Sequence, residues 1–254
     1  MKVDKLYDQL SSENQYRLSE RVNLLKPKFP RSLFAYENRF QTVTSIISSI
    51  VGKHKKTTIF VDVGCGDGVY EKLLPKSTTS RMKSIGLDFS GQQLKKASVF
   101  FQETHKVDFD SENIPLPDKT ADLILCSEVL EHLFFPEKII KEMHRVLKPH
   151  GLLIITVPNF SSLQTRTAIF FTGSSPMVNY SKNKEHIRFY SVKDINNLLK
   201  GKFVIKQKRG ISSFLFDYWN SIFKIPMPRM LQDTGDKLLP GLANGLLFVA
   251  EKLS

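Results

Sequence analysis

The chain has 254 residues and a formal net charge of +12, with 37 lysines and arginines against 25 aspartates and glutamates. Two cysteines are too few for a secreted disulfide scaffold, and no apolar run approaches the roughly 20 residues that span a bilayer. The N-terminus lacks the apolar centre of a secretory signal peptide, so we expect a cytoplasmic protein. One domain is the simplest expectation for this length.

Short β-branched runs alternate with helical stretches along the chain. The first 57 residues look helical, and residues 36–51 form the most convincing helix there. Strand-like runs follow at 58–63, 84–88, 106–109, 121–126, 151–158, 202–207 and 244–252. Covering helices are expected at 91–105 and 136–149. This alternation is typical of βαβ units and predicts an α/β fold with a mostly parallel sheet.

A glycine-rich turn follows the first predicted strand. Its three glycines are Gly64, Gly66 and Gly68. A dinucleotide fingerprint would need its last glycine at Val69, so the spacing argues against NAD. Asp62 and Asp67 flank the turn, and a carboxylate about 4 Å from a pyrophosphate would repel it by roughly 4 kcal/mol. The turn therefore favours a cationic ligand.

Further polar residues follow the next three predicted strands. Asp88 ends the second strand, 24 residues after Gly64, where a carboxylate can accept both hydroxyls of a ribose. Two pairs are expected to end the third and fourth strands: Asp110 with Ser111, and Ser127 with Glu128. Because parallel strands end at the same edge of a sheet, these residues predict an acidic cleft. Such a cleft suits a ligand with a sulfonium and an ammonium group.

These motifs resemble those of class I S-adenosylmethionine-dependent methyltransferases. The resemblance is firm over residues 55–160 and extends through EHIRFYSVKDINNLL at 185–199. It implies a Rossmann-like sheet of seven strands, mostly parallel with the last antiparallel, and helices on both faces. It also implies one methyltransferase domain, divided into a helical cap at 1–57, a cofactor core at 58–160, and a substrate-side connection, lid helix and closing strands at 161–254.

The resemblance also implies the cofactor, S-adenosyl-L-methionine, and the residues that bind it. Those residues are Asp62, Gly64, Gly66, Gly68, Asp88, Phe89, Asp110, Ser111, Ser127 and Glu128. The glycine turn would run alongside the methionine part of the cofactor, and Asp62 would contact the ammonium group of that part through water or backbone. Asp88 would bind the ribose, with Phe89 against the adenine and Asp110 accepting from the adenine amino group. The pair after the fourth strand would lie near the sulfonium.

Two histidines are candidates for a catalytic base. A base is needed only where the acceptor carries a proton. His132 follows the fourth strand and His186 lies in the connection after the fifth, where the family's acceptor pocket lies. Each could instead be a hydrogen-bonded structural residue.

The segment EVLEH raises the possibility of a metal. It places Glu128, Glu131 and His132 at i, i+3 and i+4 on a helix, and His186 would be a fourth ligand. The motif is similar to that of quinone-biosynthesis O-methyltransferases and small-RNA terminal 2′-O-methyltransferases, where related sets hold a divalent metal. It also occurs in metal-free relatives, in which the glutamate faces the cofactor and the histidine packs. We therefore predict no metal.

The charge is unevenly distributed and bears on the acceptor. Residues 1–57 carry a net +6, residues 58–180 a net −1 and residues 181–254 a net +7. Both basic flanks predict an anionic acceptor or an anionic surface that presents it. Within 211–225 an aromatic face could form a lid or a membrane-surface helix. Its members are Phe214, Leu215, Tyr218, Trp219, Ile222 and Phe223.

The predicted function is O-methylation of an anionic small-molecule, lipid-linked or glycan acceptor, with peripheral contact to an anionic membrane. The basic flanks also allow an RNA methyltransferase, although the chain shows no separate RNA-binding module. A cofactor-binding subunit without its own activity is the alternative from another class.

Overall fold

The structure is a computed structural model that describes residues 32–175, 186–213 and 229–253, with side chains described from residue 39 onward and not at 212–213 or 229–233. Most of the predicted N-terminal cap and the aromatic face at 214–223 lie outside the described residues. The chain divides into two compact units, Met1–Pro117 and Asp118–Ser254. Among the described helices, none combines the length and the apolar character needed to cross a bilayer.

The first unit contains three parallel strands and four helices within its described residues. In chain order these are α1 (Ser32–Lys53), β1 (Thr58–Val63), α2 (Val69–Leu73), α3 (Lys76–Thr79), β2 (Met82–Asp88), α4 (Gly91–Ala97) and β3 (Glu103–Lys106). The central strand, β2, pairs with β1 on one side and β3 on the other, and Val63 lies opposite Leu87. Apolar side chains of β1 and β2 are buried, as expected for parallel strands covered by helices.

The second unit contains the other four strands. Its elements are β4 (Ala121–Ser127), a 3-10 helix (Leu130–His132), α5 (Pro136–Val146), β5 (Leu147–Pro158), α6 (Leu163–Thr172), α7 (Val192–Leu199), β6 (Phe203–Ser213), α8 (Arg229–Leu238), a second 3-10 helix (Pro240–Leu242) and β7 (Ala243–Lys252). Strand β4 pairs with β5 in parallel, and β7 is antiparallel to both β5 and β6.

The predicted fold class is confirmed. The strands follow the order β3-β2-β1-β4-β5-β7-β6 in one seven-stranded sheet, and the last strand of the chain is antiparallel to its neighbours. The proposed division at residues 57 and 160 stays a prediction.

Three elements were predicted with wrong boundaries. The helix expected at 91–105 ends at Ala97, and the third strand is Glu103–Lys106 rather than 106–109, because Glu103 to Lys106 pair with β2. Asp110 and Ser111 therefore do not end a strand. The helix expected at 136–149 ends at Val146, since Pro149 has no N–H to continue it and restricts the residue before it.

Candidate functional site

The glycine turn is tied to the end of β2. The N–H groups of Gly64 and Cys65 both donate to the Leu87 carbonyl, at 2.8 and 2.9 Å. Gly64, Gly66 and Gly68 have φ angles of 77°, 54° and 81°, in the left-handed region. Glycine adopts this conformation with no steric penalty from a side chain, so the glycines specify the path of the turn.

Asp88 is held rigidly beside this turn. One carboxylate oxygen accepts the Gly66 N–H at 2.8 Å and the other accepts the Ser90 N–H at 2.8 Å. Ser90 also caps α4, because its hydroxyl oxygen accepts the Gln93 N–H. A carboxylate oxygen has more than one acceptor position, so Asp88 retains capacity for ligand hydroxyls. Its predicted ribose role is compatible with this geometry.

Asp62 offers a buried acceptor next to the turn. It belongs to β1 and is only 1% exposed. Within the described part of the chain, its Oδ2 atom has no hydrogen-bond partner. Burial raises the pKa of Asp62, and the carboxylates of Glu71 and Asp88 raise it further. Buried polar atoms are nearly always satisfied, so this oxygen suits a ligand that brings a donor or a positive charge.

The predicted adenine residues lie in and near the turn after β3. Asp108 organises that turn, accepting the Asp110 N–H at 3.0 Å and the Ser111 hydroxyl at 2.7 Å. Asp110 is half-buried, whereas Ser111 is exposed and its hydroxyl is used within the turn. Phe89 is half-buried, and the Lys106 ammonium lies 5.7 Å from its ring centroid. The roles of these residues stay predictions.

In the second unit, a hydroxyl network joins the end of β4 to β5. The Ser127 hydroxyl lies 2.8 Å from the Thr156 hydroxyl, which donates to Glu128 Oε1 at 3.0 Å. Glu128 has a φ of 55°, a conformation that non-glycine residues seldom adopt and that often marks a functional position. The sequence reasoning missed Thr156. Its one signal was a polar residue within the apolar run LLIITVP.

The two candidate histidines lie together. The rings of His132 and His186 meet edge to face, with centroids 4.9 Å apart. Backbone bonds hold the two segments side by side, because the Glu131 carbonyl accepts the N–H groups of Ile187 at 2.9 Å and Arg188 at 3.1 Å. The Tyr190 hydroxyl donates to the Leu130 carbonyl at 3.1 Å. The pairing of His132 with His186 was expected only from the family resemblance.

Glu131, His132 and His186 are the described residues that could hold a metal ion. Their ligand atoms lie within 4.8 Å of one another, and Glu131 is buried. The fourth residue of the motif, Glu128, interacts with Thr156 and is not part of this group.

Exposed apolar side chains lie close to the two histidines in the sequence. Phe134 and Phe135 follow the first 3-10 helix and are each 62% exposed, and Ile187 and Phe189 flank Arg188 and are also exposed. The Arg188 guanidinium donates to the Phe134 carbonyl, which connects the two groups. We refer to Phe134, Phe135, Ile187 and Phe189 as the phenylalanine surface.

A family model described as a methyltransferase domain matches residues 35–202, which is more than half of the chain. The chain belongs to the class I S-adenosylmethionine-dependent methyltransferases. The resemblance inferred from the sequence is therefore confirmed, and S-adenosyl-L-methionine is the cofactor of this domain.

Curated relatives match part of this methyltransferase. It is 34% identical over 130 residues to an uncharacterized protein of Methanocaldococcus jannaschii, covering 51% of this chain and 53% of the relative. It is 32% identical over 148 residues to malonyl-[acyl-carrier protein] O-methyltransferase of Marinomonas sp. (strain MWYL1), covering 54% of this chain and 48% of the relative. The match thus spans about half the length of these relatives.

A solved structure shares the fold over almost the whole chain. It is a SAM-dependent methyltransferase of Thermotoga maritima, described as a possible histamine N-methyltransferase, with a TM-score of 0.65. The similarity covers 98% of this chain and 99% of that one, at 19% identity. Identity this low shows the fold alone.

The residues of the first unit fit the cofactor of this methyltransferase. The buried Asp62 oxygen suits the ammonium group of the methionine part, and the turn VDVGCGDG carries two carboxylates and no basic residue. Carboxylates without neighbouring basic residues suit a ligand that carries positive charge and no phosphate. Asp88 lies buried beside the turn, and its ribose contact stays a prediction.

Proposed function

We propose that this methyltransferase O-methylates an anionic small-molecule, lipid-linked or glycan acceptor. The observation that carries the proposal is the meeting of His132 and His186 at 4.9 Å beside an exposed apolar surface. The cofactor supplies a methyl group that is already activated on a sulfonium. The chain's residues therefore have to align the acceptor, exclude water and take up the acceptor's proton.

One of the two histidines accepts the hydroxyl proton. A neutral imidazole has one nitrogen free to accept a proton, and its ordinary pKa suits transfer near neutral pH. Both rings are half-buried, so each remains accessible to a ligand. The backbone bonds from Ile187 and Arg188 to the Glu131 carbonyl fix the second histidine beside the first.

The surroundings of the histidines support an amphiphilic, anionic acceptor. The phenylalanine surface offers apolar contact, and Arg188 adds an exposed cation among those side chains. The last 74 residues carry a net +7, which favours a carboxylate, a phosphate or an acidic bilayer near the acceptor. The name of the Marinomonas relative supports transfer to oxygen. Peripheral contact with an anionic membrane belongs to the same proposal.

The test is incubation with radiolabelled S-adenosylmethionine and separate lipid, glycan, quinone and RNA extracts. We expect label in an organic-soluble or glycan product, and much less label with His132→Ala or His186→Ala. Label in RNA would instead favour the RNA methyltransferase, for which the basic flanks are the supporting observation. If the cofactor binds and none of the four extracts is labelled, the chain is a cofactor-binding subunit and the proposal fails.

A further inference from the structure

The second unit contains a buried tyrosine that the predicted site does not include. Tyr190 is 7% exposed and lies four residues after His186. Its hydroxyl donates to the Leu130 carbonyl at 3.1 Å, and Leu130 is the first residue of the 3-10 helix that ends at His132. One side chain therefore connects the segment that carries one candidate histidine to the helix that carries the other.

The backbone of Tyr190 is attached to the end of β5. Its carbonyl accepts the Phe160 N–H at 2.9 Å, and Tyr190 forms an isolated parallel bridge with Asn159. Asn159 is completely buried, and its Nδ2 group donates to the carbonyls of Gly241 and Ala243 at 3.0 and 2.7 Å. These bonds join the end of β5 to the second 3-10 helix and to β7. Tyr190 is thus attached to a part of the fold that is itself held from two sides.

The segment before Tyr190 is bonded to the same 3-10 helix at another point. The N–H groups of Ile187 and Arg188 donate to the Glu131 carbonyl at 2.9 and 3.1 Å. Because both bonds end on one oxygen, they alone would let the helix turn about that oxygen. The Tyr190 hydroxyl binds the adjacent carbonyl, that of Leu130. Two points of attachment fix the direction of the helix relative to the segment.

The environment of the Tyr190 hydroxyl makes it a donor and not a base. Burial raises the pKa of this hydroxyl well above its ordinary value, so it stays protonated near neutral pH. A hydroxyl has one proton to donate, and that proton is directed to the Leu130 carbonyl. Any effect of Tyr190 on the reaction is therefore exerted through the residues that it holds.

We propose that Tyr190 is a positioning residue, whose hydrogen bond to Leu130 holds His132 and His186 in the arrangement that takes up the acceptor's proton. The two rings meet at 70°, with centroids 4.9 Å apart. A base must lie within hydrogen-bond reach of the proton that it accepts, so a displaced ring lowers the rate of methyl transfer. The inference rests on the proposed function, in which one of the histidines is the base.

Tyr190→Phe tests the inference, because it removes the hydroxyl and keeps the ring. The assay is single turnover with radiolabelled S-adenosylmethionine and the extract that the wild type labels. We expect the rate to fall about tenfold, since a displacement of about 1 Å can cost about 10²-fold. Cofactor affinity, measured by calorimetry, should not change. Thr78→Val is the matched control. It removes a buried hydroxyl that donates to Ser48 at 3.1 Å in the first unit, and it should keep the normal rate.

A double-mutant cycle separates positioning from a general loss of structure. Tyr190→Phe is combined with His132→Ala or His186→Ala, whichever lowers turnover more. If Tyr190 acts through that histidine, the added loss should be less than about twofold, because the group that it positions is already absent. A further loss of about tenfold in the double variant would show that the two effects are independent and would overturn the inference.

Nuclear magnetic resonance measures the arrangement without any acceptor. Protons of the two histidine rings lie close enough for a nuclear Overhauser contact, which should weaken severalfold in Tyr190→Phe and remain in Thr78→Val. An unchanged contact, or an unchanged rate in the labelling assay, overturns the inference. If Tyr190→Phe does not fold, the wild type decides, because rapid exchange of the Tyr190 hydroxyl proton with water contradicts the bond to Leu130. Normal turnover in both histidine variants would instead overturn the proposed function, and the ring contact would still decide whether Tyr190 holds the pair.

Discussion

The glycine turn of the first unit and the histidine pair of the second are built in different ways. The turn is fixed by left-handed glycines and by N–H groups that bind Leu87 and Asp88 on the adjacent strand. His132 and His186 are 54 positions apart and meet through backbone bonds to the Glu131 carbonyl, beside exposed aromatic rings. A cofactor that is common to a whole family can be bound by a turn whose conformation is specified by its own residues. The acceptor region depends on contacts between distant segments, which leaves it free to differ.

The largest expected effect is on turnover, in the second region. If either histidine is the base, His132→Ala or His186→Ala should lower kcat by about 10²- to 10⁴-fold, the usual contribution of a positioned proton acceptor. Affinity for the cofactor should stay nearly unchanged, since neither histidine is among the predicted cofactor-binding residues. Single-turnover assays with the acceptor and calorimetry with the cofactor separate the two effects.

His150→Ala is the control for the histidines, because His150 is exposed and pairs with Glu251. Normal turnover in both His132→Ala and His186→Ala would make the pair structural. Activity that is lost on chelation and restored by a divalent ion would show that Glu131, His132 and His186 close around a metal after all.

Asp88→Ala should weaken cofactor binding by about 1.5–3 kcal/mol, the range for hydrogen bonds to a charged group. It removes a predicted ribose contact and also the acceptor that holds Gly66 and Ser90 in place. Calorimetry with S-adenosylhomocysteine measures the change. Asp118→Ala is the control. It also removes a carboxylate, but this carboxylate is exposed and pairs with Arg145, and both residues belong to the second unit. Unchanged affinity in a folded Asp88→Ala protein would exclude Asp88 from the site.

The difference between the two regions also explains what the sequence predicted. Some residue types impose a backbone conformation and can be recognised in the sequence. The glycine turn, the position of Asp88 at the end of β2 and the mostly parallel sheet were therefore predicted correctly. The third strand was misplaced because the sequence pattern predicts Glu103 to His105 as the end of the preceding helix, and these residues form a strand only by pairing with β2. Thr156 was missed because its significance depends on its contacts with Ser127 and Glu128, which only the fold brings together.

Gly68→Ala tests whether the turn is as locally determined as it appears, with a smaller effect. A left-handed φ of 81° costs a residue with a side chain about 1–2 kcal/mol. The added Cβ would also lie 3.0 Å from Phe100 Cδ2. Gly91→Ala is matched to it, because a Cβ there meets no atom within 4 Å and its φ is not positive. Urea unfolding should show a loss of stability for Gly68→Ala only, and equal stabilities would contradict the local account.

The smallest expected effect concerns the phenylalanine surface and decides what presents the acceptor. Phe135 is 62% exposed, so inserting its ring into a bilayer interface should contribute about 1 kcal/mol, less than full burial of a phenylalanine. With an anionic membrane as partner, the protein should sediment with anionic but not zwitterionic vesicles, and salt should weaken the binding. Phe135→Ala should reduce that binding about fivefold. Val99→Ala is the control, because it also removes an exposed apolar side chain but in the first unit, and it should leave the binding unchanged.

RNA binding would show a steep salt dependence but no dependence on Phe135. If the protein binds neither anionic vesicles nor RNA at low salt, the basic flanks act only as a solubilising surface, and a small soluble acceptor becomes the better interpretation of the histidine pair.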